Sequence, residues 1–84
     1  LEFRRVLFRS NAEAWRVLAA AFGRAGDVGQ ASLASAEQNI LGGSSREALR
    51  FAEMAIRRID SGSPGWLRAQ DIKRLAEERL KQQQ

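Results

Sequence analysis

The sequence predicts an all-α fold, an antiparallel, right-handed, solenoid-like stack of about four helices. Three observations predict it. Apolar residues recur at three- and four-residue spacings in four successive stretches. Gly, Ser and Asp clusters separate those stretches. No stretch alternates apolar and polar residues long enough for a strand, and the single proline stands at a predicted helix start. The separating segments span only a few residues, which implies antiparallel neighbours.

The first helix is predicted over Ala12–Arg24. Trp15, Leu18, Ala19 and Phe22 fall at i, i+3, i+4 and i+7, one face of a helix. Gly26 follows, suited to the left-handed conformation that closes a helix. The second helix is predicted over Val28–Leu41. Asp27 with Gln30 reads as a capping box, in which each residue's side chain satisfies the other's backbone N–H. Its small residues Ala31, Ala34, Ser35 and Ala36 suit close approach of neighbouring helices, and Gly42 and Gly43 stop it. The third is predicted over 45–59, with Ser44 and Glu47 as a second capping box. Ala48, Ala52, Ala55 and Ile59 line its inner face, Leu49 and Ile56 lie beside them, and Arg46, Arg50, Glu53, Arg57 and Arg58 fall mostly opposite. The fourth starts at Pro64, whose missing N–H costs nothing in a first turn, with Ser63 as N-cap. Trp66, Ala69, Ile72, Ala76 and Leu80 form its buried stripe. Lys73–Glu77, Arg74–Glu78 and Glu77–Lys81 are opposite charges at i, i+4, each expected to add a few tenths of a kcal/mol. Residues 82–84 read as a frayed tail.

Composition removes whole classes of chemistry. The 84 residues fit one small domain whose core contributes roughly 3–5 kcal/mol of net stability. There is no cysteine and no histidine. A disulfide framework, a thiolate metal site, a histidine general base and an H-E-x-x-H zinc motif are therefore impossible within this chain. No catalytic, cofactor-binding or metal-binding residue is assigned, and the chain is not expected to be an enzyme. Net charge is +4, from 14 basic and 10 acidic residues. Residues 1–10 contribute Arg4, Arg5 and Arg9 against Glu2, and the rest balance at 11 to 9. A nucleic-acid footprint needs a concentrated basic face, so no nucleic-acid partner is expected. No apolar run approaches the ~20 residues of a membrane-spanning helix, so no membrane insertion is expected either.

Residues 1–10 (Leu-Glu-Phe-Arg-Arg-Val-Leu-Phe-Arg-Ser) resemble the peptide produced when a sequencing adapter is translated at the edge of an assembled read. Such scars are set aside in fold reasoning. The rival reading is a short basic amphipathic segment for targeting or a membrane surface. On the adapter reading the natural protein begins upstream of Asn11; residues 1–10 are then a disordered or helix-extending segment, since nothing in them breaks a helix, and residues 11–84 form the TPR-like domain.

Residues 12–31 resemble a tetratricopeptide (TPR) repeat. Ala12-Glu13-Ala14-Trp15 opens like a first helix, Leu18, Ala19 and Phe22 follow at the expected offsets, Gly26-Asp27 makes the turn, and Ala31 is the small residue opening the partner helix. Gly43, Ala48, Leu49, Ala52, Ala55 and Ile56 fit a turn and second helix in a phase slipped by about half a repeat. The second helix must then serve a neighbour on each side.

A longer resemblance covers residues 12–80. It rests on Trp15 to Asp27, Gly43 to Ile59, and above all Gly62-Ser63-Pro64-Gly65-Trp66-Leu67-Arg68-Ala69-Gln70-Asp71-Ile72. These are similar to the C-terminal TPR region of a bacterial zinc metalloprotease family, the BepA-like periplasmic peptidases. The resemblance implies a periplasmic parent involved in envelope protein quality control, with zinc confined to a catalytic domain outside this chain. It also implies that the helical region handles protein or peptide segments, or the parent's own protease domain.

In a TPR stack the first-helix residues left over from packing line the inner face. Here these are Glu13, Arg16, Val17, Ala20 and Arg24, the candidate partner-binding residues. Arg16 and Arg24 offer forked donors for a carboxylate, although singly each is an ordinary solvated charge. Trp15 and Trp66 read as core rather than exposed anchors. Arg46, Arg50, Arg57 and Arg58 read as a solvated face, with acidic residues interleaved and no aromatic platform. Asp27, Asp60 and Asp71 read as caps and surface positions. Gly42-Gly43-Ser44-Ser45 precedes a helix but lacks the strand and lysine of a phosphate loop. With its N-terminal edge uncapped, the fragment is expected to be marginally stable or to self-associate through its first helix.

Overall fold

A computed structural model describes residues 11–83, in four helices: α1 (Ala12–Arg24), α2 (Val28–Leu41), α3 (Ser45–Arg58) and α4 (Pro64–Gln82). No strand occurs among the described residues. The readings made on residues 1–10 lie outside them. The helix bounds match the sequence reading closely. α3 ends one residue early because Ile59 adopts extended backbone, φ −94° and ψ 146°. Gln82, assigned above to a frayed tail, is helical.

The junctions depart from expectation in an informative way. Gly26 and Gly43 take φ of +82° and +83°, a conformation that costs other residues steric strain at Cβ. Each lets the chain fold back on the helix just completed. The Asp27 N–H donates to the Phe22 carbonyl at 2.9 Å, and the Ser44 N–H to the Asn39 carbonyl at 2.9 Å. The glycine N–H groups donate to the Gly23 and Ile40 carbonyls at 3.1 and 3.4 Å. These are two Schellman closures, and they overturn both predicted capping boxes. A capping box requires the N-cap N–H to receive a side chain from the next helix, but here that N–H already belongs to the previous helix. Asp27 keeps half of the motif, accepting from the Gln30 N–H at 3.1 Å. The Ser44 side chain makes no cap bond. Ser63 caps α4 as predicted, accepting from the Trp66 N–H at 3.3 Å while its hydroxyl donates to the Asp60 carbonyl at 2.7 Å.

Among the described residues α2 packs against the three other helices, α3 against α2 and α4, and α1 against α2 alone. α2 therefore touches more of the other described helices than any other does. α2 and α3 run antiparallel, since Gly29 near the start of α2 lies against Arg58 and Ile59 at the end of α3. α4 runs parallel to α2: Gly65 lies beside Gln30 and Leu33, and Arg79 reaches the Ile40 carbonyl at 2.9 Å.

The central cluster comprises Leu33, Ala36, Ile40, Ala48, Ala52, Ala55, Ala69, Ile72 and Ala76. Six of these nine are alanine, so the helices gain contact by closeness of backbones rather than by bulk. Ile72 is the largest fully enclosed side chain, and its burial stabilises by about 1.5–3 kcal/mol. The predicted inner residues of α3 and α4 are accordingly buried, while Ile59 and Leu80 are half-buried.

Trp15 and Trp66, expected as core, are both half-buried and outside the central cluster. α1 has no fully buried residue. Among the described residues α1 has one helix to pack against, and Trp15, Leu18 and Phe22 are each half-buried. Trp66 occupies the first turn of α4.

Candidate functional site

The candidate site is built on α1. Asn11 opens the helix, its Oδ1 accepting from the Ala14 N–H at 3.1 Å, and the Gly26 closure ends it. Between them Glu13, Arg16, Val17, Ala20 and Arg24 recur at three- and four-residue spacings, and all five are exposed. The sequence reading grouped these residues, and the structure places them together on the side of α1 turned away from α2.

Their electrostatics differ from the reading in one respect. Arg16 was offered as a donor fork for a bound carboxylate, but the fork is turned on Glu13. Its Nε donates to Glu13 Oε1 at 3.0 Å and its Nη2 donates to Oε2. This hydrogen bonding holds the Glu13 carboxyl below its usual range and the Arg16 guanidinium above its own. Both groups are fully exposed, so the pair organises the helix surface and adds little to stability. Arg24 stands in the last turn, where a cation complements the negative end of the helix dipole.

The remaining charged positions sort into structural roles. Asp27 caps α2, the Asp60 carbonyl closes the turn before α4, and Asp71 pairs with Arg74 at 3.1 Å. The predicted i, i+4 pairs on α4 do not form. Among the described residues the exposed ion pairs are at i, i+3: Arg16–Glu13, Arg50–Glu47 and Arg74–Asp71. Exposed side chains choose among such partners at small cost. On α3, Arg46, Arg57 and Arg58 are exposed, whereas Arg50 pairs with Glu47 and lies 4.4 Å from the Phe51 ring centre. An aromatic therefore does accompany the arginines, and the protein's own cation covers it. The N–H groups of Gly42, Gly43 and Ser44 all donate back into the end of α2.

Sequence reasoning missed the contact between Glu37 and Arg68. Arg68 Nε and Nη2 donate to the two Glu37 carboxylate oxygens at 2.6 and 2.7 Å, across 31 residues of chain. Glu37 is buried and Arg68 half-exposed. The Glu37 hydrogen bonds raise the Arg68 guanidinium above its ordinary range, against the opposing effect of partial burial. One signal was available: Glu37 is the sole charged residue in the fourteen of α2. Together with the Arg79 contact, this pair fixes how α4 lies along α2.

Among the described residues no three His, Cys, Asp or Glu side chains come close enough to hold a metal ion, and no helix is long and apolar enough to cross a membrane. No protein-family model matches the sequence, and no curated protein or solved structure matches it.

Proposed function

We propose that this chain is a protein-interaction module, the C-terminal TPR region of a periplasmic zinc metalloprotease acting in envelope protein quality control. The observation that carries the reading is the division of labour in the helices. Among the described residues all full burial lies in α2, α3 and α4, while α1 offers one continuous exposed stripe of Glu13, Arg16, Val17, Ala20 and Arg24. A rigid helical scaffold bearing a mixed polar and apolar stripe suits non-covalent capture of a protein segment. Its partners are protein or peptide segments, or the parent's own protease domain. Catalysis and zinc belong to that domain and not to this chain.

The metalloprotease assignment rests on the final-helix string from Gly62 to Ile72 and the TPR-like spacing before it. Recovering the source DNA upstream of the Asn11 codon tests it. A reading frame containing H-E-x-x-H and a signal peptide supports the reading. A frame holding only further helical repeats makes the chain part of a TPR adaptor without an enzyme and removes the protease from the account.

A further inference from the structure

We propose that the outward face of α3 binds an acidic protein segment, held by the guanidinium groups of Arg46, Arg50 and Arg57. The distribution of charge points there. Beyond position 10 the chain has 11 basic and 9 acidic residues. α3 holds four of the basic ones, Arg46, Arg50, Arg57 and Arg58, against two of the acidic ones, Glu47 and Glu53. That leaves seven of each sign for everything else, so the whole positive excess of residues 11–84 lies on one helix of 14 residues. Residues 1–10, with three arginines against one glutamate, carry the wrong charge to cover it.

Helical geometry gathers the arginines. Arg46, Arg50 and Arg57 are exposed and fall within about 40° of one another around the axis, on the side away from buried Ser45, Ala48, Ala52 and Ala55. Only Arg50 is engaged, by Glu47; among the described residues no carboxylate pairs with Arg46, Arg57 or Arg58. Arg46 is the second residue of α3, at the positive end of the helix dipole, where a cation is disfavoured. Folding therefore gains nothing from its charge. Arg46 and Arg57 stand roughly 16 Å apart along the axis, a span that an extended segment covers in about five residues. Glu47 and Glu53 flank the stripe on either side, one of them within four residues of each arginine. They repel a continuous array of phosphates, whereas a peptide can set carboxylates opposite the arginines and uncharged side chains between. This surface is separate from the α1 stripe, and neither a protease nor a periplasmic parent enters into it.

Fluorescence anisotropy of the full 84-residue chain with a labelled octaglutamate peptide, blocked at both ends, tests it. Saturable binding is expected, weakening as salt rises, with none for the matching octalysine peptide. Arg46→Glu should weaken binding by about tenfold while the unfolding midpoint holds or rises, because an acidic residue suits a helix start. Arg57→Glu should weaken binding by a similar factor; if circular dichroism shows lost helicity, Arg57→Gln takes its place. Arg74→Glu on α4 makes the same change of charge elsewhere and should alter binding by no more than about twofold. Four results would each overturn the proposal: a wild-type chain that does not bind octaglutamate, binding unmoved by Arg46→Glu, an equal loss from Arg74→Glu, or tighter binding of an oligothymidylate of equal charge or of phosphatidylglycerol vesicles.

Discussion

α1 and the α2–α4 bundle are both helical, but for different reasons. α1 is made by local devices: the Asn11 cap, the Gly26 closure and the Glu13–Arg16 pair. It buries no residue completely. A helix of 13 residues is marginal in water, so α1 depends on one-sided packing of Trp15, Leu18 and Phe22 on α2. The bundle is held instead by tertiary contacts, an alanine-rich cluster and the Glu37–Arg68 pair. Local devices suffice to shape a surface, whereas only interdigitation makes a core. The chain spends its large side chains sparingly in that core, and the tightness of fit carries the stability.

The sharpest way to break the comparison is inside the bundle. Ile72→Ala should destabilise by about 2–5 kcal/mol, through lost burial and the cavity left behind. That is close to the whole stability of a domain this size, so urea denaturation should find the variant largely unfolded. Next comes Arg68→Ala, which strands the buried Glu37 carboxylate. Removing one partner of a fully buried pair costs about 3–5 kcal/mol, and the half-exposed position of Arg68 lowers the expectation to roughly 2–3 kcal/mol. A denaturation midpoint unchanged by this substitution would mean that the pair does not hold α4 to α2. Its pH dependence has a definite sign. A guanidinium raised in the folded state contributes fully below its unfolded value and loses that contribution only as pH rises through the folded one. The Arg68 side of the pair should therefore leave stability flat from neutral to moderately alkaline pH.

Smaller effects sharpen the contrast between the regions. Ser45 is buried, and its hydroxyl has no hydrogen-bond partner among the described residues. Ser45→Ala should raise stability by about 1 kcal/mol, since an unpaired buried polar group carries its desolvation cost. Gly23 and Gly29 make a matched pair. A Cβ on Gly23 in α1 meets nothing within 4 Å, so Gly23→Ala should stabilise by about 0.5–1 kcal/mol. A Cβ on Gly29 in α2 would lie 2.9 Å from Ile59 Cγ1 and 3.4 Å from the Arg58 backbone. There the same substitution should give no gain or a loss. Equal responses at the two sites would deny that packing tightness separates the regions. Smallest of all, acidification through the depressed Glu13 range should release its pair with Arg16. Protection of the α1 amides, taken relative to the intrinsic exchange rate at each pH, should fall slightly at low pH while the global unfolding midpoint barely responds to this pair.

The positions of all four helices were legible in the sequence, because periodic apolar spacing and glycine punctuation are local properties. So was the alanine face of α3, and so was the stripe from Glu13 to Arg24, which is the complement of the apolar face of α1. The engagement of Arg16 by Glu13 was within reach, lying at i, i+3 on one helix, but the reading looked outward for a partner. The capping boxes failed because two motifs compete for one donor. The N–H groups of Asp27 and Ser44 close the preceding helices, and a motif read within one helix does not register that claim.

By itself the sequence determined the fold class, the helix bounds to about a residue, and the exclusion of histidine and cysteine chemistry. Each follows from residue identity and near-neighbour spacing. The tertiary structure alone decided which helices touch. It set α4 parallel to α2, joined Glu37 to Arg68 across the chain, and left Trp15 and Trp66 half-covered. Those outcomes depend on how closely backbones approach. That is fixed by where Ala, Gly and Ile meet between helices, and no single helix carries that information.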